Sequence, residues 1–208
     1  MFDAALRRVI TPPLDRAGRW LAAIGVSANA ITWGGLLIGL LAVPALADGH
    51  YLTALGLIAL NRLADGLDGA VARQSALTDF GGFLDIVADF LFYAAIPFGF
   101  ALARPEDAVW LAFLLFSFFG SGASFLAFAI IAAKRGLQTQ ARGAKSFFYL
   151  GGLAEGSETI AAFVLMCLMP QHVATIAGAF GVLCWLTTAG RMLAAARTFR
   201  LNFAPFSS

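Results

Sequence analysis

The chain has 208 residues, of which 60% are apolar or aromatic and only 12% are charged, and its mean hydropathy is +0.82. Soluble domains contain about 25% charged residues, so this composition excludes a soluble globular enzyme, a disordered protein and a secreted disulfide scaffold. It indicates several membrane-spanning helices, because each crossing needs about 20 mostly apolar residues. We therefore predict an all-α integral membrane protein that forms a single domain over residues 1–208.

The N-terminal residues 1–24 mix arginines with apolar residues at helical spacing, which predicts an amphipathic helix on the membrane surface. We expect Pro12 and Pro13 to interrupt it. A six-helix bundle is predicted over residues 29–196, because six apolar runs follow one another there. The predicted spans are 29–47, 51–73, 80–103, 108–133, 148–169 and 173–196.

The basic residues predict the orientation of the bundle. With a cytoplasmic N-terminus, twelve Lys and Arg residues fall at the cytoplasmic face, Arg104 alone falls at the far side, and Arg62 lies within a span. This bias follows the positive-inside rule. Both termini are therefore expected in the cytoplasm, with the protein in a bacterial inner membrane and no nucleic acid among its partners.

Four aspartates interrupt the second and third runs. Asp65 and Asp68 are three residues apart, Asp85 and Asp89 are four apart, and each pair shares a helix face. A short polar turn joins the two runs, and a rise of ~1.5 Å per residue places all four acids ~8–15 Å below the cytoplasmic edge. Ionisable residues at that depth are costly and usually functional, although a buried salt bridge between helices is the alternative interpretation.

Four adjacent carboxylates need cations to remain ionised. Oxygen ligands suit Mg²⁺ or Mn²⁺, and two such ions would balance the four charges and could stabilise an in-line phosphoryl displacement. Arg73, at the end of the second run, is either a topology anchor or a ligand for phosphate. The glycines beside the acids serve helix packing or ligand access, and the sequence favours neither. They are Gly66, Gly69, Gly81 and Gly82.

Residues 65–89 read DGLDGAVARQSALTDFGGFLDIVAD. This segment resembles the signature of the CDP-alcohol phosphatidyltransferase family, D-x-x-D-G-x-x-A-R followed by G-x-x-x-D-x-x-x-D. That family also has six membrane helices preceded by a surface helix. A Pro-Asn-x-x-Thr element of the family corresponds to residues 28–32 here, with alanine in place of the proline.

The resemblance implies a reaction and a set of roles. The hydroxyl of an alcohol would attack the β-phosphorus of a CDP-linked lipid, most simply CDP-diacylglycerol, and CMP would leave. Asp65, Asp68 and Asp85 would bind metal, and Asp89 would be the base and also touch the second ion. A homodimer is likewise implied. The residues expected to contact the nucleotide or its diphosphate are Asn29, Thr32, Gly69, Ala72 and Arg73.

The cytoplasmic ends of the last three runs are the predicted acceptor site. A phosphorylated acceptor would need two or three cations there, although the positive-inside rule alone also accounts for these cations. The favoured acceptors are glycerol 3-phosphate and phosphatidylglycerol. The candidate acceptor-binding residues are Lys134, Arg135, Lys145, Glu155, Glu158 and Arg191.

Two other classes of protein place acids inside a membrane. Intramembrane prenyltransferases hold a diphosphate on Mg²⁺, but their aspartates form two separated clusters, whereas these four lie within 25 residues. A divalent-cation transporter would continue its polar path to the far face, and residues 90–103 are instead apolar. Release of CMP from a CDP-linked lipid distinguishes the three classes.

Overall fold

A computed structural model of the chain describes residues 3–75, 77–136 and 154–200. All regular structure in these residues is helical, which confirms the predicted all-α class. Short 3₁₀ turns, Pro105–Asp107 and Pro170–His172, precede the sixth and eighth helices. The helices are α1 Asp3–Ala23, α2 Ala28–Leu40, α3 Ala42–Ala47, α4 Tyr51–Ala72, α5 Asp79–Ala103, α6 Ala108–Lys134, α7 Gly156–Leu168 and α8 Val173–Arg200.

Four segments of the described chain are long and apolar enough to cross a membrane: Ala28–Ala47, Asp79–Ala103, Pro105–Lys134 and Pro170–Phe199. They make this an integral membrane protein. Helix α4 is 22 residues long but contains Arg62, Asp65 and Asp68, which lower its hydropathy. Helix α7 has 13 residues, and the first six residues of the predicted fifth span, 148–153, lie outside the described residues.

Prolines and caps account for several helix boundaries. The Ser27 hydroxyl caps α2 by accepting a hydrogen bond from the Ala30 amide at 3.2 Å, and Thr78 caps α5 in the same way. Helix α2 ends at Leu40, four residues before Pro44. Proline has no N–H that could bond to the Leu40 carbonyl, and its ring clashes with that carbonyl, so the helix stops there.

The predicted interruption at Pro12 and Pro13 is wrong, because α1 continues through both prolines. The second half of α1 packs on α4, and this packing holds the helix together beyond the prolines. A Cβ built on Gly18 would lie only 2.7 Å from the Ala70 Cβ and 2.8 Å from the Ala70 carbonyl carbon. Glycine is therefore required for α1 to approach α4 this closely.

The helices form two groups. Helices α2 and α3 pack against α4 and α5, while α6 packs along α8; contacts of α5 with α6 and of α4 with α7 join the groups. Small residues allow these close approaches, as is usual in membranes. For example, a Cβ on Gly35 of α2 would lie 2.8 Å from the Ala64 Cβ of α4.

The core lies between the two groups and consists largely of aromatic and aliphatic side chains. Phe92, Ile96 and Phe100 of α5 are fully buried, and the Phe92 ring meets the Phe163 ring of α7 edge to face at 6.2 Å between centroids. Phe92 follows Asp89 by less than one helical turn. The acidic segment of α5 therefore ends where this apolar core begins.

Candidate metal centre and active site

Helices α4 and α5 bring three of the predicted acids together. One carboxylate oxygen from each of Asp65, Asp68 and Asp85 lies within 4.8 Å of the other two. Asp68 is buried, with 6% of its surface exposed, whereas Asp85 is exposed and Asp65 is intermediate. The cluster is therefore open on the Asp85 side, where a ligand can approach.

Thr32 of α2 fixes the buried member of this cluster. Its hydroxyl donates a hydrogen bond of 2.6 Å to Oδ2 of Asp68 and lies 3.1 Å from the carbonyl oxygen of Ala28. The family resemblance implies that Thr32 contacts the nucleotide, and in the structure its hydroxyl also orients a carboxylate. Asn29, one turn earlier, lies beside the first turn of α5, where its Oδ1 would be 3.2 Å from a Cβ on Gly81.

Asp89 lies outside this three-carboxylate cluster and is paired with Arg62 of α4. Nη1 of Arg62 donates to Oδ1 of Asp89 at 3.0 Å, and it lies 3.7 Å from Oδ2 of Asp65. The Arg62 side chain is 18% exposed and the Asp89 side chain 33%. Asp89 thus lies outside the group of three, and Arg62 contacts both Asp89 and Asp65.

Arg62 is itself held on several sides. Its Nε and Nη2 donate to Oδ1 of Asn61 at 2.8 and 2.6 Å, and its guanidinium carbon lies 4.4 Å from the centre of the Phe92 ring. The amide of Asn61 donates in turn to the Gly35 carbonyl at 2.8 Å. Glycine at position 39 makes this possible, since a Cβ there would lie 2.7 Å from Phe92 and 2.8 Å from Asn61.

Arg73, at the end of α4, pairs with Asp15 of α1 at 2.7 Å and remains half exposed. A Cβ on Gly69 would lie 3.4 Å from Nη1 of Arg73, and Ala72 is the last residue of α4. Gly66 serves packing, because a Cβ there would lie 2.8 Å from the Leu14 side chain, while nothing lies within 4 Å at Gly82. The packing interpretation therefore holds at Gly66, while Gly82 borders open space.

Among the predicted acceptor residues, Lys134 and Arg135 lie at the end of α6 and Glu155 and Glu158 at the start of α7, whereas Arg191 lies within α8. Nη1 of Arg191 donates to the Ser121 carbonyl at 2.9 Å and to its hydroxyl at 3.1 Å. Glu155 and Glu158 form the capping box of α7, in which Oε2 of Glu158 accepts from the Glu155 amide at 3.2 Å. These contacts give all three residues a structural role.

The remaining predicted acceptor cations are more dispersed. Nη1 of Arg135 donates to the Phe199 carbonyl at 3.2 Å, while Lys134 is exposed in the last turn of α6. Lys145 lies outside the described residues.

The sequence interpretation assigned no role to Arg62 or Asn61. Two signals could have identified them: both are polar residues inside an otherwise apolar run, and Arg62 precedes Asp65 by three residues, which places them on one face of α4. The pairing of Asp15 with Arg73 has no comparable signal, because the two residues are 58 positions apart.

The donor set fits a hard divalent cation. Three carboxylates offer oxygen ligands at one point, and the buried one is oriented by a hydroxyl. Mg²⁺ and Mn²⁺ prefer oxygen ligands of this kind, and hydrogen bonds to a ligating carboxylate orient it for the metal. Asp65, Asp68 and Asp85 are therefore the residues that would hold the ion.

The structure is a membrane-embedded helical bundle with three convergent carboxylates that could hold a metal ion, and comparisons with known proteins identify its class. The family model of CDP-alcohol phosphatidyltransferase matches residues 25–196. Inner membrane protein YnjF of Escherichia coli K12 is 53% identical over 193 residues, or 92% of this chain and 94% of the relative. The archaetidylinositol phosphate synthase of Pyrococcus horikoshii is 40% identical over 98 residues, or 47% of this chain and 52% of the relative.

A solved structure also shares the fold. The phosphatidylinositol phosphate synthase of Mycobacterium tuberculosis, solved with CDP-DAG bound, superposes with a TM-score of 0.71 at 18% identity over 88% of this chain and 93% of that one. A second structure of the same synthase contains manganese and citrate and gives a TM-score of 0.69 at 20% identity, covering 86% of this chain and 87% of that one.

The chain belongs to the CDP-alcohol phosphatidyltransferase family, whose members are enzymes that transfer phosphatidyl groups in phospholipid synthesis. This membership favours a transferase over the prenyltransferase and transporter alternatives.

Proposed function

We propose that this protein transfers the phosphatidyl group of CDP-diacylglycerol to the hydroxyl of a phosphorylated alcohol and releases CMP. The observation that carries the proposal is the three-carboxylate cluster of Asp65, Asp68 and Asp85 inside a membrane bundle, with Asp89 next to it on α5. The bound CDP-DAG of the M. tuberculosis synthase, which shares this fold, supports the choice of donor.

The reaction forms a bond between the acceptor oxygen and the β-phosphorus and breaks the bond from that phosphorus to the oxygen that leaves with CMP. CMP takes the electron pair, and the hydroxyl proton passes to a carboxylate oxygen of Asp89. A divalent cation on the three-carboxylate cluster would neutralise the diphosphate and the charge that develops on the leaving CMP. Asp89 suits the proton-accepting role because it lies one helical turn beyond Asp85 on α5, is one third exposed, and is held at 3.0 Å by Arg62.

Other side chains position these groups. Thr32 orients Asp68 for the cation, and Arg73 places a guanidinium at the cytoplasmic end of α4, where it can bind a phosphate oxygen of the nucleotide. Asp15 holds Arg73 there. Gly82, where nothing lies within 4 Å of a built Cβ, leaves space beside the acids.

The acceptor is glycerol 3-phosphate or phosphatidylglycerol, both of which carry a phosphate next to a glycerol hydroxyl. The basic residues at the end of α6, Lys134 and Arg135, suit such a phosphate. The names of the synthase relatives point to inositol phosphate as the competing acceptor.

The test is release of CMP by the purified full chain supplied with CDP-diacylglycerol, Mg²⁺ or Mn²⁺, and one acceptor at a time. The panel is glycerol 3-phosphate, phosphatidylglycerol, inositol phosphate and choline. We expect CMP release with a phosphorylated glycerol, abolished by excess chelator and restored by either ion. Undiminished CMP release in excess chelator would contradict the requirement for a divalent cation. The absence of CMP release with every acceptor would contradict the proposed reaction.

The orientation that fits this reaction has both termini and the acids on the cytoplasmic side, six spans in one domain, and α1 on the membrane surface. Arg104 is the one Lys or Arg placed on the far side by this orientation, and it pairs with Glu106 at 3.1 Å and with Asp107. The hydrogen bond to Asp107 raises the pKa of Arg104. Because these acids balance its charge, Arg104 does not oppose the positive-inside rule.

Cysteines introduced at Ser75 and His50 should react with membrane-impermeant reagents from opposite faces. The native thiols, Cys167 and Cys184, are buried and give little background. Labelling of both positions from one face would contradict the orientation.

Assembly as a homodimer belongs to the same proposal. A monomeric mass in mild detergent would contradict it.

A further inference from the structure

Arg73, the C-cap residue of α4, turns its side chain back along the helix. Its Nη1 lies 3.4 Å from the position that a Cβ on Gly69 would occupy. Gly69 directly follows Asp68, the buried member of the three-carboxylate cluster. The guanidinium therefore lies over the last turn of α4, next to the segment that carries the cluster, instead of extending beyond the end of the helix.

A carboxylate from α1 holds the guanidinium in this place. Nη2 of Arg73 donates a hydrogen bond of 2.7 Å to Oδ1 of Asp15. The Asp15 side chain is 29% exposed and the Arg73 side chain is 50% exposed. Because ion pairs this exposed contribute little to the free energy of unfolding, the main consequence of the pair is the position that it gives to Arg73. Asp15 binds Nη2, and Nη1 faces Gly69, where it can donate to a ligand.

The position of Asp15 is itself fixed by close packing on either side. A Cβ on Gly66 would lie 2.8 Å from Cδ1 of Leu14, the residue before Asp15. A Cβ on Gly18, three residues after Asp15, would lie 2.7 Å from the Ala70 Cβ. Helices in such close contact cannot slide past each other without a steric clash, so α1 presents the Asp15 carboxylate at one place relative to α4.

The pairing has two opposing effects on a phosphate that approaches Arg73. An arginine side chain loses rotamer entropy when a ligand orders it, and Asp15 removes that cost by ordering Arg73 in advance. A carboxylate at 2.7 Å also offsets part of the positive charge that attracts the phosphate. Because Arg73 is half exposed, solvent screens the charge effect, and we expect the effect of ordering to be the larger of the two.

We infer that Asp15 is a positioning residue that makes α1 part of the nucleotide site, because it holds Arg73 over Gly69 ready to bind a phosphate of the CDP-linked substrate. This inference rests on the proposed function, in which Arg73 binds a phosphate oxygen of the nucleotide. It assigns a part in substrate binding to a helix that lies outside the α4–α5 hairpin.

The measurement is the affinity of the purified full chain in detergent for CDP, by isothermal titration calorimetry at saturating Mn²⁺ with no lipid or acceptor present. The variants are Asp15→Ala, Arg73→Gln and the two combined. Mn²⁺ affinity without nucleotide is measured for each. The matched control is Asp48→Ala, which removes an exposed carboxylate three residues before the opposite end of α4.

We expect Asp15→Ala to bind CDP at least about fivefold more weakly, because the ligand must then order Arg73 itself. Loss of a negative charge alone would have the opposite sign, since it would strengthen the binding of an anion. Mn²⁺ affinity should stay within about twofold in Asp15→Ala, and CDP affinity should stay within about twofold in Asp48→Ala. When Arg73→Gln is already present, Asp15→Ala should change CDP affinity by less than about twofold, because no guanidinium remains to be positioned.

Four results would overturn the inference. Unchanged CDP affinity in Asp15→Ala would mean that Asp15 does not position Arg73, and tighter binding would mean that it only neutralises Arg73. A full loss of CDP affinity on adding Asp15→Ala to Arg73→Gln would mean that Asp15 acts elsewhere. A parallel loss of Mn²⁺ affinity would make the ion pair a structural link between α1 and α4, and an equal loss in Asp48→Ala would indicate a general effect of charge.

If Asp15→Ala does not elute as a single species, Asp15→Ser replaces it with the same expected results, because serine is also too short to reach Arg73. Absence of CDP binding by the unsubstituted protein would contradict the donor in the proposed function and this inference together. If the unsubstituted protein binds CDP and releases CMP while Asp15→Ala behaves identically, the proposed function stands and this inference alone fails.

Discussion

Asparagine in place of Asp85 is expected to reduce CMP release by at least about 1,000-fold, because the site loses both a metal ligand and the electrostatic stabilisation that the ion supplies. Asp85 is the exposed member of the cluster and has carboxylate oxygens within 4.8 Å of those of Asp65 and Asp68. The substitution preserves the shape of the side chain and removes one negative charge. Mn²⁺ affinity and CMP release should therefore fall together.

Asp79→Asn is the matched control for this substitution. Asp79 lies on the same helix, is exposed, and occupies the first turn of α5 outside the cluster. We expect its CMP release to stay within about threefold of the unsubstituted protein, because an exposed charge at a helix N-terminus affects mainly helix stability. Equal losses in the two variants would indicate a general effect of charge on α5 and contradict the metal site.

The sequence predicted most of the helices because their signals are local. Periodic apolar runs and the charges that end them placed α5 and α6 to within one residue at each end. The break of the first span at Leu41 has a local cause in Pro44 that hydropathy alone does not reveal. The continuity of α1 through two prolines depends on its packing against α4, a contact between distant parts of the chain that no local pattern reports.

The convergence of Asp65, Asp68 and Asp85 was likewise predictable, because the spacing and depth of these acids follow from helix geometry. What could not be predicted is which neighbour each acid contacts. Thr32 reaches Asp68 from 36 positions away, and Arg62 reaches Asp89 across 27. Both contacts depend on the approach of separate helices, which glycines at positions 35 and 39 permit. Side-chain pairing between helices is a property of packing rather than of sequence spacing.

The predicted acceptor site also shows that a charge pattern in the sequence does not identify what each charge contacts. Positive charges at the ends of the last helices were evident from the sequence, but Arg191 proves to be bonded to Ser121 of α6, and Glu155 and Glu158 to cap α7. A charge that closes a helix end or joins two helices has the same sequence signature as one that binds substrate. The identity of the acceptor therefore depends on the assay and not on counting cations.

Asp89→Asn should slow transfer by at least about 100-fold while affinity for CDP-diacylglycerol is retained, since general-base catalysis contributes about 10²–10⁴-fold in rate. The amide of asparagine cannot accept the proton of the attacking hydroxyl. The three-carboxylate cluster remains intact in this variant, and Arg62 loses one of its two carboxylate partners, so the net positive charge it adds favours an anionic diphosphate.

The measurement pairs turnover with binding of the CDP-linked lipid, both at saturating Mn²⁺ so that a modest loss of metal affinity does not enter the comparison. Asp85→Asn is the reference, because it should lose metal-dependent lipid binding as well as turnover. A low kcat with retained lipid binding in Asp89→Asn would identify Asp89 as the group that accepts the proton of the acceptor hydroxyl. If Asp89→Asn loses metal-dependent binding as severely as Asp85→Asn, Asp89 acts mainly as a metal ligand, and another group must accept the proton from the acceptor hydroxyl.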